Sequence, residues 1–135
     1  MSERNVEAFK RGIEAYNRGD VEALLDELDP RVEWRPSLPV LLGGERTVYR
    51  GHDGIREMLR ELDEVLPERR LDFSDIRERD DRLVATGRLR TRGRGSGAVT
   101  ESRFGWVADF KDGKAARIRT YLDPEEALEA AAVNE

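Results

Sequence analysis

The sequence predicts an α+β fold, a mainly antiparallel sheet covered by helices on one face. Two observations carry that reading. Residues 83–122 divide into three alternating apolar/polar runs, LVATGRLRTR, VTESRFGWVADF and AARIRTYL, the period of half-buried strands. Lys111-Asp112-Gly113-Lys114 joins the last two, and Asp-Gly between alternating runs is a strong hairpin signal. Helix-forming segments precede this meander and another follows it, so helices are expected on one face of the sheet.

In chain order, Ser2 opens a first helix whose apolar stripe is Val6, Phe9, Ile13 and Tyr16. Gly19 ends that helix and Asp20 caps a second, with Val21, Leu24, Leu25 and Leu28 on its buried face. Asp29-Pro30 stops it. Val32 and Trp34 then share a face of a short strand, Arg31 to Arg35. The loop Ser37 to Thr47 follows, unusually apolar at Leu38, Val40, Leu41 and Leu42, and then a second short strand, Val48 to Arg50. Gly51-His52-Asp53-Gly54 leads into a third helix with Ile55, Met58, Leu59, Leu62 and Leu66 as its stripe, ended by Pro67. Leu71 and Phe73 alternate in a strand over Arg69 to Arg79, which enters the meander through Asp80-Asp81. Asp123-Pro124-Glu125-Glu126 caps a short closing helix carrying Ala127, Leu128 and Ala131. The order is ααββα, four strands, then a small helix.

The 135 residues read as a single domain, 1–135, large enough to bury roughly 65–70% of the surface of the unfolded chain. Net charge is −5, which argues against a general nucleic-acid binder because such proteins need a basic face. Cysteine is absent, excluding disulfides, thiolate nucleophiles and Cys-based metal sites. One histidine makes a poor metal centre, so neither a metal nor another cofactor is expected. No apolar run reaches the ~18 residues of a membrane span, and the N-terminus lacks a signal peptide's hydrophobic region. A cytoplasmic protein without membrane association is the expectation.

The chain resembles the nuclear transport factor 2-like superfamily, and within it the SnoaL-like (polyketide cyclase-like) branch. The resemblance rests on Tyr16-Asn17-Arg18-Gly19-Asp20, Val32-Glu33-Trp34, Tyr49-Arg50-Gly51-His52-Asp53-Gly54-Ile55-Arg56, Asp112-Gly113-Lys114 and Ile118-Arg119-Thr120-Tyr121-Leu122-Asp123. It implies a curved sheet wrapped around the N-terminal helices to form a cone with an internal ligand pocket, in a chain that forms a homodimer. It does not imply a reaction, because this fold hosts catalysis and pure binding alike.

Three catalytic relatives set tests. The ketosteroid isomerases' tyrosine, general-base aspartate and protonated aspartate fall on Gly12, Trp34 and Gly105, none of which can take those roles. The limonene epoxide hydrolases' Arg-x-Asp and later Asp fall on Arg88-Leu89-Arg90 and Thr120: the arginine is kept and both carboxylates are replaced. The aldol cyclases' acid or base falls near Arg90, leaving Glu101 as a substitute.

Candidate catalytic residues are therefore His52, Glu101 and Arg88; candidate ligand contacts are Trp34, Tyr49, Trp106 and Thr120. His52 is the one side chain with an unperturbed pKa near neutrality, and it reads either as a base at the pocket rim or as a residue beside a helix cap. Trp34 and Trp106 read as core packing or as walls for a flat ligand. Period-two counting turns Arg88, Arg90 and Arg92 away from the helices, whereas the epoxide-hydrolase resemblance turns Arg88 inward; a bulge near Gly87 would reconcile them. The glycine-rich Gly93 to Gly97 reads as a hairpin tip rather than a phosphate loop, because no helix follows it.

The function implied is binding of a small apolar metabolite, with cofactor-independent isomerisation, cyclisation or hydrolysis as the catalytic possibility. The alternative is a non-catalytic ligand carrier or dimerisation module. Expected geometry is a pocket enclosed by Trp34, Tyr49 and Trp106, closed by the Ser37 to Thr47 loop, with a homodimer built on the meander's outer face.

Overall fold

The structure is a computed structural model describing residues 2–35, 48–92, 97 and 99–133. Helix α1 (Ser2–Arg18) and helix α2 (Val21–Asp26) are followed by strands β1 (Leu28–Arg35) and β2 (Tyr49–Arg50) and helix α3 (Gly51–Val65). Then come β3 (Glu68–Arg79), β4 (Arg82–Arg92), β5 (Val99–Lys111), β6 (Lys114–Tyr121) and helix α4 (Pro124–Val133). The six strands form one sheet in the order β2-β1-β6-β5-β4-β3. β1 runs parallel to β6 and every other pairing is antiparallel.

Local signals set the boundaries. Gly19 adopts a left-handed φ of +74° and Asp20 donates its N–H to the Ala15 carbonyl at 2.9 Å, closing α1 in the way glycine permits. The Asp20 carboxylate then accepts the Ala23 N–H, which holds its pKa below the ordinary carboxylate value and caps α2. At the β5–β6 turn Asp112 and Gly113 both have positive φ, 51° and 80°, the geometry a two-residue hairpin requires. Asp80 and Asp81 also have positive φ at the β3–β4 turn. There the Asn5 amide bonds both Asp81 at 2.9 Å and Glu78 at 2.6 Å, tying α1 to the turn.

Phe9 and Ala15 of α1, Leu24 and Leu25 of α2, and Ile55, Met58, Leu59 and Leu62 of α3 pack against the inner face of the sheet. That face carries Val32, Trp34, Leu71, Leu83, Ala85, Phe104, Trp106, Ala108, Phe110 and Ile118. Helices do not cover one face only, as expected from the sequence. α4 crosses to the outer face, where Ala127 lies so close to Gly105 that a Cβ there would sit 2.6 Å from the alanine Cβ. Val107, in phase with Gly105, is fully buried beneath it. The short alanine-rich helix has a buried partner because β5 offers a glycine where a larger residue would hold it off. Leu122 lies past the end of β6 and is exposed.

The bulge anticipated near Gly87 exists, but in the neighbouring strand. Register shifts between Phe73 and Asp75 of β3, and the β3 backbone presses so closely that a Cβ on Gly87 would lie 2.0 Å from the Asp72 carbonyl oxygen. β4 itself never changes phase. Leu83, Ala85 and Gly87 stay buried, and Arg88 stays exposed on the outer face. The sequence conflict over Arg88 is resolved in favour of alternation.

Candidate functional site

The inner face converges on a run of aromatic rings. Trp34 on β1 meets Trp106 on β5 edge to face, with centroids 5.1 Å apart and planes at 85°. Tyr16 of α1 lies 6.4 Å from Trp34, while Phe73 and Phe9 lie 5.2 and 6.1 Å from Trp106. Such edge contacts set the positive rim of one ring against the negative face of another. Beside Trp34 and Trp106 is a cavity of about 20 Å³, lined also by Phe9, Tyr16, Glu27 and Ile118. That is space for about one water, far below the ~300 Å³ at which small-molecule pockets begin. A metabolite can enter this cavity only if surrounding groups move.

Two polar groups at this cluster have unused bonding capacity. Thr120 is the cross-strand partner of Trp106, and its Oγ1 is buried without a hydrogen-bond partner. The Tyr16 hydroxyl accepts from Arg69 Nε at 3.0 Å, leaving its own proton available. Burial raises the Tyr16 pKa above its ordinary value despite the opposing guanidinium, so the group stays a phenol and a donor. Arg69 is itself fixed, with Nη1 bonding Asp63 at 2.8 Å and the Leu66 carbonyl at 3.0 Å, and its guanidinium carbon lies 5.3 Å from the centre of the Tyr16 ring.

Of the residues singled out from sequence, Trp34, Tyr49, Trp106 and Thr120 share the inner face. Tyr49 pairs with Trp34 across β1 and β2 and is buried, but it does not line the cavity, and its hydroxyl donates to the Glu61 carboxylate. Among the described residues, Tyr16 lines this cavity together with Trp34 and Trp106, and neither Tyr49 nor Thr120 does. The Ser37 to Thr47 loop expected at the mouth lies outside the described residues, as does the Gly93 to Ser96 part of the hairpin tip.

The three candidate catalytic residues are not brought together. Arg88 Nη1 bonds Glu101 Oε1 at 2.8 Å in an exposed pair on the outer face, because both occupy outward positions of their strands. His52, half-buried at the start of α3, donates Nε2–H to the Leu28 carbonyl at 3.1 Å. A carbonyl only accepts, which fixes the proton on Nε2 and gives the imidazole a structural task between α3 and β1. Among the described residues no group of three or more His, Asp or Glu side chains is arranged to hold a metal ion. No helix among them is long and apolar enough to cross a membrane.

Sequence reasoning missed Tyr16 and Arg69 as a pair. The signal existed, since Arg69 lies in phase with Leu71 and Phe73 and period two therefore turns it inward.

The pattern of the SnoaL-like domain family matches residues 9–118. The chain belongs to the SnoaL-like domain family. Among solved structures it is similar to TerC, co-crystallised with polyporic acid, at 28% identity and a TM-score of 0.79, over 96% of this chain and 98% of that one. It is also similar to an NTF2-like protein of unknown function from Burkholderia pseudomallei, at 25% identity and a TM-score of 0.80, over 93% and 95% of the two chains. A polyketide cyclase-like protein from Xanthomonas campestris pv. campestris, at 19% identity and a TM-score of 0.76 over 96% and 97%, shares the fold. No curated protein matches the sequence. A SnoaL-like α+β cone is a small-molecule-binding fold, and the aromatic cluster occupies its interior.

Proposed function

We propose that this SnoaL-like domain binds a flat, mainly apolar metabolite bearing a carbonyl or acidic oxygen, held against Trp34 and Trp106 once the aromatic cluster opens, with its oxygens on Thr120 and Tyr16. The observation that carries the reading is the Thr120 hydroxyl, buried beside Trp106 without a partner. A buried hydroxyl left unpaired is unfavourable by about 1–3 kcal/mol, and a ligand oxygen would recover that. The 28% identity to a protein co-crystallised with polyporic acid supports a ligand bearing an acidic oxygen. Any chemistry would be proton transfer without a cofactor, with the Tyr16 phenol as donor to a developing oxyanion.

Trp34 and Trp106 are the two tryptophans of the chain, so intrinsic fluorescence reads the cone directly. Titrated polyporic acid should quench it saturably. Thr120→Val should weaken that binding about tenfold, the worth of one hydrogen bond, while leaving the free protein as stable or more stable. Unquenched tryptophans, or an affinity unchanged by Thr120→Val, would defeat the proposal. Recovery of chemically unaltered ligand after incubation would identify a carrier rather than an enzyme.

A second reading, a homodimer through the outer face, is favoured by the exposed, opposite charges that face carries, such as Arg88 beside Glu101, which a second copy could pair across a two-fold axis. Light scattering giving only a 15.4 kDa species at micromolar concentration would exclude it. Both readings suit a cytoplasmic protein.

A further inference from the structure

Away from the cone, where β3 and β4 begin and end, a hollow of about 420 Å³ is lined by Asn17, Pro67, Thr91 and Val99 together with Glu68, Arg69, Arg70, Arg90 and Arg92. Four arginines and one glutamate line it, in a chain whose net charge is −5, with Arg70, Arg90 and Arg92 on the outer face of the sheet and Arg69 on the inner. Arg70 and Arg90 are direct cross-strand partners, a placement that is unfavourable for like charges. The carboxylate that could relieve it is engaged elsewhere: Glu101 lies opposite Arg90 on β5 but bonds Arg88 at 2.8 Å. Arg90 makes no hydrogen bond or ion pair among the described residues. The other three arginines are partly neutralised, Arg70 by Asp72 at 3.2 Å, Arg92 by Glu68 at 2.6 Å and Arg69 by Asp63 at 2.8 Å. The Arg70 and Arg92 pairs are solvent-exposed and therefore weak. Arg69 differs, its side chain being only 11% exposed and turned inward onto Tyr16, so the three adaptable guanidinium groups are those of Arg70, Arg90 and Arg92.

We infer that this hollow is a binding site for an oxyanion group carrying two or more negative charges, a phosphate ester or a pair of carboxylates, bridged between Arg70 and Arg90. An anion seated there converts the repulsive pair into two charge-assisted contacts, and planar guanidinium forks match carboxylate and phosphate oxygens in a bidentate manner. The hollow meets the cone at Arg69, whose guanidinium is held by Tyr16, but Arg70 and Arg90 stand on the outer face, so an anion between them does not require the aromatic cluster to open.

Isothermal titration at low ionic strength with pyrophosphate and with citrate tests the assignment. One-to-one binding is expected for at least one of them, with tighter pyrophosphate binding identifying a phosphate ester and tighter citrate binding a polycarboxylate. Arg90→Gln, an exposed substitution, should weaken binding about tenfold or more, the worth of one charge-assisted hydrogen bond. Arg77→Gln, on the outer face but outside the hollow, should leave affinity within about twofold, as expected of a rim charge that makes no contact. Absence of binding to both anions at millimolar concentration would overturn the inference. So would an Arg77→Gln loss equal to that of Arg90→Gln, which would mean diffuse attraction to an arginine-rich surface.

Discussion

Along β4, Leu83 and Ala85 point inward into a packed cluster, while Arg82, Arg88, Arg90 and Arg92 point outward. The same backbone thus builds two surfaces of opposite character. Inside, rings meet at 5–6 Å, and polar groups such as the Tyr16 hydroxyl and the Arg69 guanidinium are held by specific partners, with the Thr120 hydroxyl left without one. Outside, charge pairs such as Arg88–Glu101 lie in solvent, and α4 covers only the stretch where Gly105 admits Ala127. The contrast teaches that burial, rather than residue chemistry, decides which contacts carry energy. An aromatic edge contact inside and a 2.8 Å ion pair outside look equally well made, yet only the first excludes water.

The largest test of that contrast is Trp106→Ala. Trp106 is only 5% exposed and contacts Trp34, Phe9, Phe73 and Phe104, so truncation should lower stability by about 3–5 kcal/mol, read from the denaturant midpoint. A loss below 1 kcal/mol would mean that the cone is not a packed core.

An intermediate effect should appear at alkaline pH. Burial raises the folded-state pKa of Tyr16 above the ordinary tyrosine value of about 10. The unfolded chain therefore gives up this proton first as pH rises. Stability is unaffected below about pH 10 and falls above it, by at most about 1.4 kcal/mol per pH unit from this group. Tyr16→Phe should flatten that loss in pH-dependent unfolding. Arg69→Met should raise the Tyr16 titration further, because the guanidinium lowers it. A phenolate absorbance titration showing all three tyrosines ionising together would contradict this.

The smallest effect belongs to the outer face. Arg88→Gln should change stability by no more than about 0.5 kcal/mol, because the pair it breaks is solvent-exposed. A larger loss would show that this pair is buried in solution, as a dimer interface would bury it.

Much of the architecture was legible in residue order. Periodicity placed the meander, Asp112-Gly113 its turn, and Gly19-Asp20 the junction of the first two helices, because these depend on local backbone preference and on which face of one element is apolar. The inner positions of Trp34 and Trp106 followed from period two, whereas Thr120 was singled out only through the family resemblance. What only the tertiary structure decided depends on contacts between residues far apart in the chain. The bulge at Phe73–Asp75 sits opposite Gly87 because two backbones approach there, and neither strand alone reveals that. α4 reaches the outer face because Gly105 leaves room for Ala127, 22 residues away in sequence. Tyr16 meets Arg69 at a separation of 53 residues, and His52 is taken up by a carbonyl 24 residues earlier. Local pattern assigns a side chain to a face; which partner awaits it there is set by how the elements pack.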